Sequence, residues 1–202
     1  KWNKILTLKN SPVLNKYNFL FKDNNLTLTF GDKEILTSDV NQPSERERLV
    51  NKIIELESSL REPIILMKNI EFPFFDTSVS NKVEFANSVS LLNMQSINDF
   101  QNKIDKEIEI PRFRGNIYVD GIKAWEERNW IGQIIKINNL SFKVEKNIPR
   151  CVAINLKPKT DDNSLNLLQS LKKTYNHFDM GIYLTSLDDG KIEIGNSVEI
   201  NK

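Results

Sequence analysis

Alternating apolar and polar positions predict β-structure early in the chain. Residues 26–30 read Leu-Thr-Leu-Thr-Phe, which is the period-two pattern of a strand with one buried face. Gly31 and Asp32 are residues that favour turns, and apolar positions return within residues 34–36. The sequence therefore predicts a β-hairpin in this region.

After the hairpin, the apolar positions change to helical spacing. Ser44 and Glu47 have the S-x-x-E arrangement of a capping box just after Pro43. We predict a helix over residues 44–60 that packs on the core and carries no site, and its apolar positions are Leu49, Val50, Ile53, Ile54 and Leu56.

Two further helices are predicted in the rest of the chain. Ser96, with Asp99 three residues later, is predicted to cap a helix whose apolar positions include Ile97, Phe100 and Ile104. The third helix is predicted near residues 166–174. The aromatic and proline-containing stretch at residues 72–78 is predicted to be a loop at a domain boundary.

Most of the remaining apolar segments are short and are separated by turn residues, which is typical of strands. Asn138 and Asn139 predict a tight hairpin turn, because Asn tolerates positive φ. Many short strands with few helices favour a closed or nearly closed β-barrel, since closure removes exposed edges. The predicted strands are 64–67, 89–92, 117–119, 134–137, 140–146, 152–156, 182–187, 192–194 and 198–200.

Composition narrows the class of protein. The 202 residues include 28 Lys plus Arg and 27 Asp plus Glu, a balance that argues against a broad nucleic-acid-binding face. The single cysteine excludes an intrachain disulfide and fits a reducing compartment, so we expect a cytoplasmic protein. The sequence shows no signal peptide and no apolar run of about 18–20 residues, and we expect no membrane partner.

Arginine is rare in this chain, and its placement suggests an anion site. Arg112 and Arg114 alternate around Phe113, so in an extended backbone both guanidinium groups would lie on one face, which Asn116 would continue. A guanidinium fork suits phosphate and other oxyanions. The alternative is a solvated strand edge with two protective charges.

The one thiol lies beside another arginine. Arg150 would favour the thiolate form of Cys151, which is the form that attacks an electrophile or binds a metal. The alternative is a small buried hydrophobic residue ahead of a core strand. His177, the single histidine, is interpreted as a surface or satisfied core residue, and the pairs 126–127 and 161–162 as solvated turn carboxylates without a chemical role.

Taken in order, several short motifs resemble the MOSC domain, the module named after the C-terminal region of molybdenum cofactor sulfurases. The resemblance extends from about residue 75 to residue 200 and is closest to the bacterial branch with an N-terminal β-barrel and to the amidoxime-reducing enzymes. Many relatives carry Pro where this chain has Gly115. The motifs lie at residues 75–78, 88–96, 112–121, 124–127, 130–132, 149–152, 158–161, 181–183 and 190–195.

The resemblance implies roles for named residues. In this family the cysteine at the position of Cys151 is the protein's ligand to molybdenum, so Cys151 is implied to be the catalytic and metal-binding residue. The residues implied to hold the molybdopterin are Arg112, Arg114, Asn116, Arg150, Lys9 and Ser96. Lys9 stands where relatives carry arginine and keeps the charge without the planar fork.

The resemblance also implies an architecture and an activity. We expect an α+β, mostly β protein: the remainder of an N-terminal barrel at residues 1–73, shortened at its start, and a MOSC β-barrel at residues 74–202. The expected function is a molybdenum-cofactor oxidoreductase that reduces N-hydroxylated or N-oxygenated compounds with electrons from a partner reductase or ferredoxin-type protein. The alternatives are a sulfur carrier using a Cys151 persulfide and a cofactor-free fragment. Pyridoxal phosphate is not expected, because it belongs to the separate desulfurase domain of the sulfurases.

Overall fold

The computed structural model describes residues 5–61, 63–67 and 88–200. These residues form two compact units. The first contains residues 5–61, 63–67 and 155–165, and the second contains residues 88–154 and 166–200. The predicted loop at 72–78 and the predicted boundary after residue 73 lie outside the described residues.

The first unit is a three-stranded antiparallel sheet with one helix. Its strands are β1 (Tyr17–Lys22), β2 (Asn25–Phe30) and β3 (Lys33–Asp39), paired in that order. The predicted hairpin of β2 and β3 is confirmed. Helix α1 (Pro43–Leu56) contacts β3 and buries Leu49, as its apolar spacing requires.

Both ends of α1 differ from the prediction. Pro43 occupies the first helical turn, where its fixed φ is favourable, so the N-cap is Gln42 and Ser44 lies inside the helix. The helix ends at Leu56 instead of residue 60. Glu57 then leaves helical geometry, and its carboxylate accepts a hydrogen bond from Tyr17 Oη at 2.6 Å and pairs with Lys16.

The prediction of a buried strand at residues 64–67 is wrong. The segment is irregular, and Ile65 and Met67 are 72% and 65% exposed. A strand needs a neighbour for its backbone groups, and within the described residues neither sheet includes this segment. Pro63, just before it, also has no N–H to donate.

The second unit is a six-stranded, curled half-barrel sheet. The strand order is β5-β4-β8-β7-β6-β9, with β4 and β5 parallel and all other neighbours antiparallel. The α+β, mostly β fold class is confirmed. The strands are β4 (Val89–Asn93), β5 (Ile117–Val119), β6 (Ile134–Ile137), β7 (Leu140–Pro149), β8 (Asp179–Ser186) and β9 (Val198–Ile200).

A continuous apolar core lies against this sheet. Leu91, Ile135, Val144 and Ile182 are each fully buried within it. The predicted turn between β6 and β7 is confirmed, with Asn138 at a φ of 56°. Strand β8 pairs with β4 on one side and with β7 on the other, and Pro149 at the end of β7 lies opposite Asp179 at the start of β8. Cys151 therefore follows near the end of the sheet where β8 begins.

Two helices complete the second unit, at nearly the predicted positions. Helix α2 (Met94–Ile104) is capped by Asn93, whose side chain accepts a hydrogen bond from the Gln95 N–H at 3.0 Å; the prediction of Ser96 as the cap is therefore wrong. Helix α3 (Leu167–Tyr175) is confirmed and begins after the capping Asn166. No helix among the described residues is long and apolar enough to span a membrane.

Two predicted strands of the second half are turns. Residues Val152–Asn155 form a 3-10 helix, because the Ile154 N–H bonds back to the Cys151 carbonyl at 3.1 Å. Residues 192–194 form no strand. The Glu193 N–H instead donates to the Asn196 side chain at 2.7 Å, and Gly195 between them has a φ of 97°. Local hydrogen bonds replace strand pairing in both segments.

Candidate functional site

The arginine motif forms a turn, so the prediction of an extended backbone is wrong. Residues Ile110–Phe113 are a 3-10 helix with Pro111 at a favoured position in its first turn, and Arg114 follows at a φ of 49°. The Arg112 N–H donates to the Glu109 carbonyl at 3.0 Å. The side chains of Arg112 and Arg114 consequently enter different surroundings, and their guanidinium groups do not lie on one face of a strand.

Arg112 is buried and paired. Its side chain is 2% exposed, and Nε donates to Glu109 Oε2 at 2.6 Å. The adjacent Phe113 is fully buried. A charge removed from solvent needs such a partner, so Arg112 stabilises the turn that carries its neighbours.

Arg114 reaches across to the segment after the cysteine. Its Nη1 donates to the Ala153 carbonyl at 3.0 Å. Burial of the guanidinium lowers the pKa of Arg114, and the nearby Cys151 opposes that shift. Arg114 therefore lies within electrostatic reach of the thiol, as an anion site that includes Cys151 would require.

Asn116 fixes the start of β5 to β4. Its Oδ1 accepts hydrogen bonds from the Ser90 N–H at 2.9 Å and the Ser90 hydroxyl at 2.8 Å. Its own N–H donates to the Ser90 carbonyl at 3.1 Å. Asn116 thus holds the chain that leaves the arginine turn against the sheet.

Arg150 joins three segments of the second unit. Its Nη1 donates to the Phe113 carbonyl at 2.8 Å, and its Nε donates to the Met180 carbonyl at 2.8 Å; Nη2 bonds to the same Met180 oxygen. The guanidinium also lies 5.8 Å from the centre of the Phe113 ring. These contacts tie the arginine turn and β8 to the residue before Cys151.

The electrostatic surroundings of Arg150 identify two residues that sequence reasoning missed. Burial lowers the pKa of Arg150 to about 10; Tyr183, Cys151 and Tyr118 oppose this shift in decreasing order, and Arg114 adds to it. Arg150 thus has the thiol, two phenols and a second guanidinium group within electrostatic reach. The sequence held one signal for Tyr118. It lies two residues after Asn116, and in a strand residues two apart lie on the same face.

Cys151 itself is partly exposed, in contrast to a buried packing residue. It lies two residues after the end of β7, and its carbonyl accepts the first hydrogen bond of the Val152–Asn155 turn. A partly exposed cysteine beside two cations can meet a ligand without rearrangement of the core. Within the described residues, no group of three or more His, Cys, Asp or Glu side chains could hold a metal ion by itself.

Lys9 belongs to the first unit and is exposed, with its backbone N–H donating to Thr7 Oγ1 at 3.3 Å. Its predicted contact with a cofactor stays a prediction.

Ser96 lies in a buried polar network. Its hydroxyl donates to Glu127 Oε1 at 2.8 Å and accepts the Trp125 N–H at 2.8 Å, and Asn93 Nδ2 donates to Glu127 Oε2 at 2.9 Å. Ser96 and Glu127 are both fully buried, so the prediction that Glu127 is a solvated turn charge is wrong. A fully buried hydroxyl cannot face a ligand from solvent, so the role of Ser96 in this structure is to hold Glu127 and Trp125.

His177 lies in a cluster of its own. Its ring stacks on Tyr175 at 5.8 Å between centroids and meets Trp125 edge-on, and its Nδ1 accepts the Asp179 N–H at 3.1 Å. Burial, followed by the nearby Arg128, lowers the pKa of His177. These contacts agree with its interpretation as a satisfied structural histidine.

Comparison with known proteins gives the family. The sequence model of the MOSC domain matches residues 77–199, more than half of the chain. Mitochondrial amidoxime reducing component 2 of Bos taurus is 27% identical over 109 residues, which cover 54% of this chain and 31% of that protein. Molybdenum cofactor sulfurase of Drosophila melanogaster is 29% identical over 120 residues, covering 58% of this chain and 14% of that protein. The matched region thus spans less than a third of either relative.

Two solved structures share a weaker likeness. The crystal structure of YiiM from Geobacillus stearothermophilus matches with a TM-score of 0.43 and 15% identity, over 56% of this chain and 54% of that chain. YiiM from Escherichia coli matches with a TM-score of 0.43 and 14% identity, over the same shares.

Proposed function

Since the chain belongs to the MOSC domain family, we propose that it binds a molybdenum cofactor through Cys151 and takes part in the reduction of N-oxygenated compounds. The observation that carries the proposal is the partly exposed Cys151 beside the Arg114 and Arg150 guanidinium groups. The names of two relatives, an amidoxime reducing component and a molybdenum cofactor sulfurase, support the same class of chemistry.

The residues around Cys151 fit such a group. A thiolate is a soft ligand of the kind that second- and third-row metals accept, and one protein ligand suffices when the metal arrives with ligands of its own. The phosphate of a pterin cofactor needs cations and hydrogen-bond donors, and Arg114 presents a planar fork on the cysteine side of the turn.

Each residue would have a distinct role. Cys151 would hold the metal, Arg114 would bind an anionic oxygen of the cofactor, and Arg150 would hold the arginine turn and β8 in place through Phe113 and Met180. Arg112 and Asn116 would support the same turn from within the fold. Once bound, the molybdenum centre would supply two-electron oxygen-atom chemistry, and a reductase or ferredoxin-type partner would supply the electrons.

Metal analysis of protein made in a host that synthesises the cofactor tests the proposal. Wild-type protein should contain molybdenum, and Cys151→Ala should lose most of it because the protein's own ligand is gone. Arg114→Gln should also lower the loading, whereas Arg61→Gln, which removes an exposed arginine of the first unit, should not. Absence of molybdenum from the wild type, or equal loading in Cys151→Ala, contradicts the proposal.

A sulfur carrier would use the same thiol differently. Incubation with a cysteine desulfurase and cysteine would then add one sulfur atom to Cys151, which intact-protein mass spectrometry would detect. The expected result under the cofactor proposal is that the molybdenum-loaded protein gains no sulfur, because its thiol is occupied.

A further inference from the structure

The hydroxyl of Tyr118 is held beside the arginine turn by a backbone N–H. The Gly115 N–H donates to Tyr118 Oη at 3.0 Å. Gly115 directly follows Arg114, and the carbonyl two residues before Gly115, that of Phe113, accepts the hydrogen bond from Arg150. The phenol oxygen therefore lies close to both arginines of the proposed site.

Gly115 makes this arrangement possible in two ways. A proline at position 115 has no N–H and could not hold the phenol. A side chain there would also collide, because a Cβ atom at position 115 would lie 3.1 Å from Tyr118 Cζ and 2.5 Å from Leu92 Cδ1. Since Leu92 is fully buried, it has little room to move. The position of the Tyr118 phenol consequently depends on glycine at position 115.

The O–H of Tyr118 is available to donate a hydrogen bond. Its oxygen accepts the Gly115 N–H, and within the part of the chain that the structure describes its own O–H donates to no other group. The residue is 40% exposed, so a ligand can reach it. An O–H donor beside two guanidinium groups complements a negatively charged oxygen.

We propose that Tyr118, oriented by Gly115, is a ligand-positioning residue that donates a hydrogen bond to an anionic oxygen held by Arg114 beside Cys151. This inference deepens the proposed function by adding a donor for the bound anion. It concerns the anion-binding property of the apo site, which can be measured whether or not molybdenum is present.

The sole cysteine gives a direct measurement of that property. Iodoacetate and iodoacetamide alkylate the same thiolate, but only iodoacetate carries a negative charge. At Cys151, the rate constant for iodoacetate is divided by the rate constant for iodoacetamide, and this ratio is then divided by the same ratio for N-acetylcysteine. The resulting normalised ratio reports how well the site attracts an anion. We expect this normalised ratio to exceed one in the wild type.

Tyr118→Phe removes only the hydroxyl. The normalised ratio should fall by about three- to tenfold, the effect of one hydrogen bond of ordinary strength, while the iodoacetamide rate stays the same. Tyr17→Phe, which alters a tyrosine of the first unit that bonds to Glu57, should leave the ratio unchanged. Circular dichroism should show folded protein for both variants.

The Gly115 part of the inference has its own variant. Gly115→Pro should lower the ratio as Tyr118→Phe does, and the double variant should lower it no further. If Gly115→Pro does not fold, Tyr118→Phe decides the question.

An unchanged ratio in Tyr118→Phe, an equal fall with both reagents, or a wild-type ratio of one would overturn the inference. Absence of molybdenum loading with an intact preference for iodoacetate would overturn only the proposed function.

Discussion

At the scale of single residues, the main role of Arg150 is to hold separate segments of the site together. Its guanidinium donates to two carbonyls from segments that are distant in sequence, Phe113 and Met180. A planar fork can reach both at once, whereas an ammonium group presents a single point of charge. The geometry of the anion site therefore depends on arginine at this position.

Arg150→Lys should lower the free energy of unfolding by about 1–3 kcal/mol, because at least one of these charge-assisted hydrogen bonds is lost. Urea unfolding measures this change. Lys146→Arg, on the same strand, provides a control for the exchange of the two cations and should have little effect. Equal stability of Arg150→Lys and wild type would contradict the connecting role.

The buried carboxylate of Glu127 is a second residue whose importance comes from its partners. It accepts hydrogen bonds from Ser96 and Asn93, so replacing one of its oxygens with an amide nitrogen places a donor against a donor. Glu127→Gln should therefore lower the free energy of unfolding by about 1–3 kcal/mol in urea titration. Glu126→Gln is the matched control and should cost little; similar losses in both would contradict the burial argument.

At the scale of elements, the pairing of β4 with β8 depends on a close backbone approach. Gly181 in β8 has a φ of 78°, and a Cβ atom there would collide with the Leu91 carbonyl oxygen and lie 2.6 Å from Leu92 Cδ2. Only glycine fits both requirements. Because Met180, which precedes it, accepts the hydrogen bonds from Arg150, this approach also sets the position of the site.

Gly181→Ala should lower the melting temperature much more than Gly132→Ala does. Both glycines have positive φ, but no atom lies within 4 Å of a Cβ at position 132. The strained φ costs about 1–3 kcal/mol in each variant, and the collision adds a further cost at position 181 only. Equal shifts of the two melting temperatures would show that β4 and β8 have room to separate.

At the scale of the whole molecule, the ionisable groups around α2 and α3 make stability depend on pH. Burial lowers the pKa of His177, Arg128 and Lys172 lower it further, and Asp179 opposes them. Burial raises the pKa of Asp99, but hydrogen bonds from Trp125, Tyr175 and Lys103 outweigh it, and the net shift is downward. In both cases the unfolded chain binds a proton more readily than the folded chain does.

Stability should consequently fall as the pH drops below the unfolded histidine value of about 6.5. His177→Gln cannot titrate, and its side-chain oxygen can still accept the Asp179 N–H. Its urea midpoint should therefore fall less between pH 7 and pH 5.5 than the wild-type midpoint does. Since His177 is the single histidine, an identical pH dependence in the two proteins would contradict this prediction.

Local sequence patterns were sufficient to predict many of the elements of the second unit and the hairpin of β2 and β3. Alternation and turn residues correctly placed β4 and the β6–β7 hairpin, because each depends on neighbours in sequence. The motifs around Arg114 and Cys151 likewise indicated the MOSC family, to which the chain belongs. The same local patterns misplaced the N-caps, because Asn93 and Pro43 competed with nearby residues of similar propensity.

Long-range contacts decided the rest. Whether residues 64–67 and 152–156 become strands depends on a pairing partner, and whether Glu127 is solvated depends on Ser96 and Asn93, both about 30 residues away. The arginine patch was recognisable from residue types, but its backbone conformation and the phenol of Tyr118 were not. The neighbours of a side chain depend on how the helices and strands pack together. Local sequence patterns do not show this packing, so only the tertiary structure reveals these contacts.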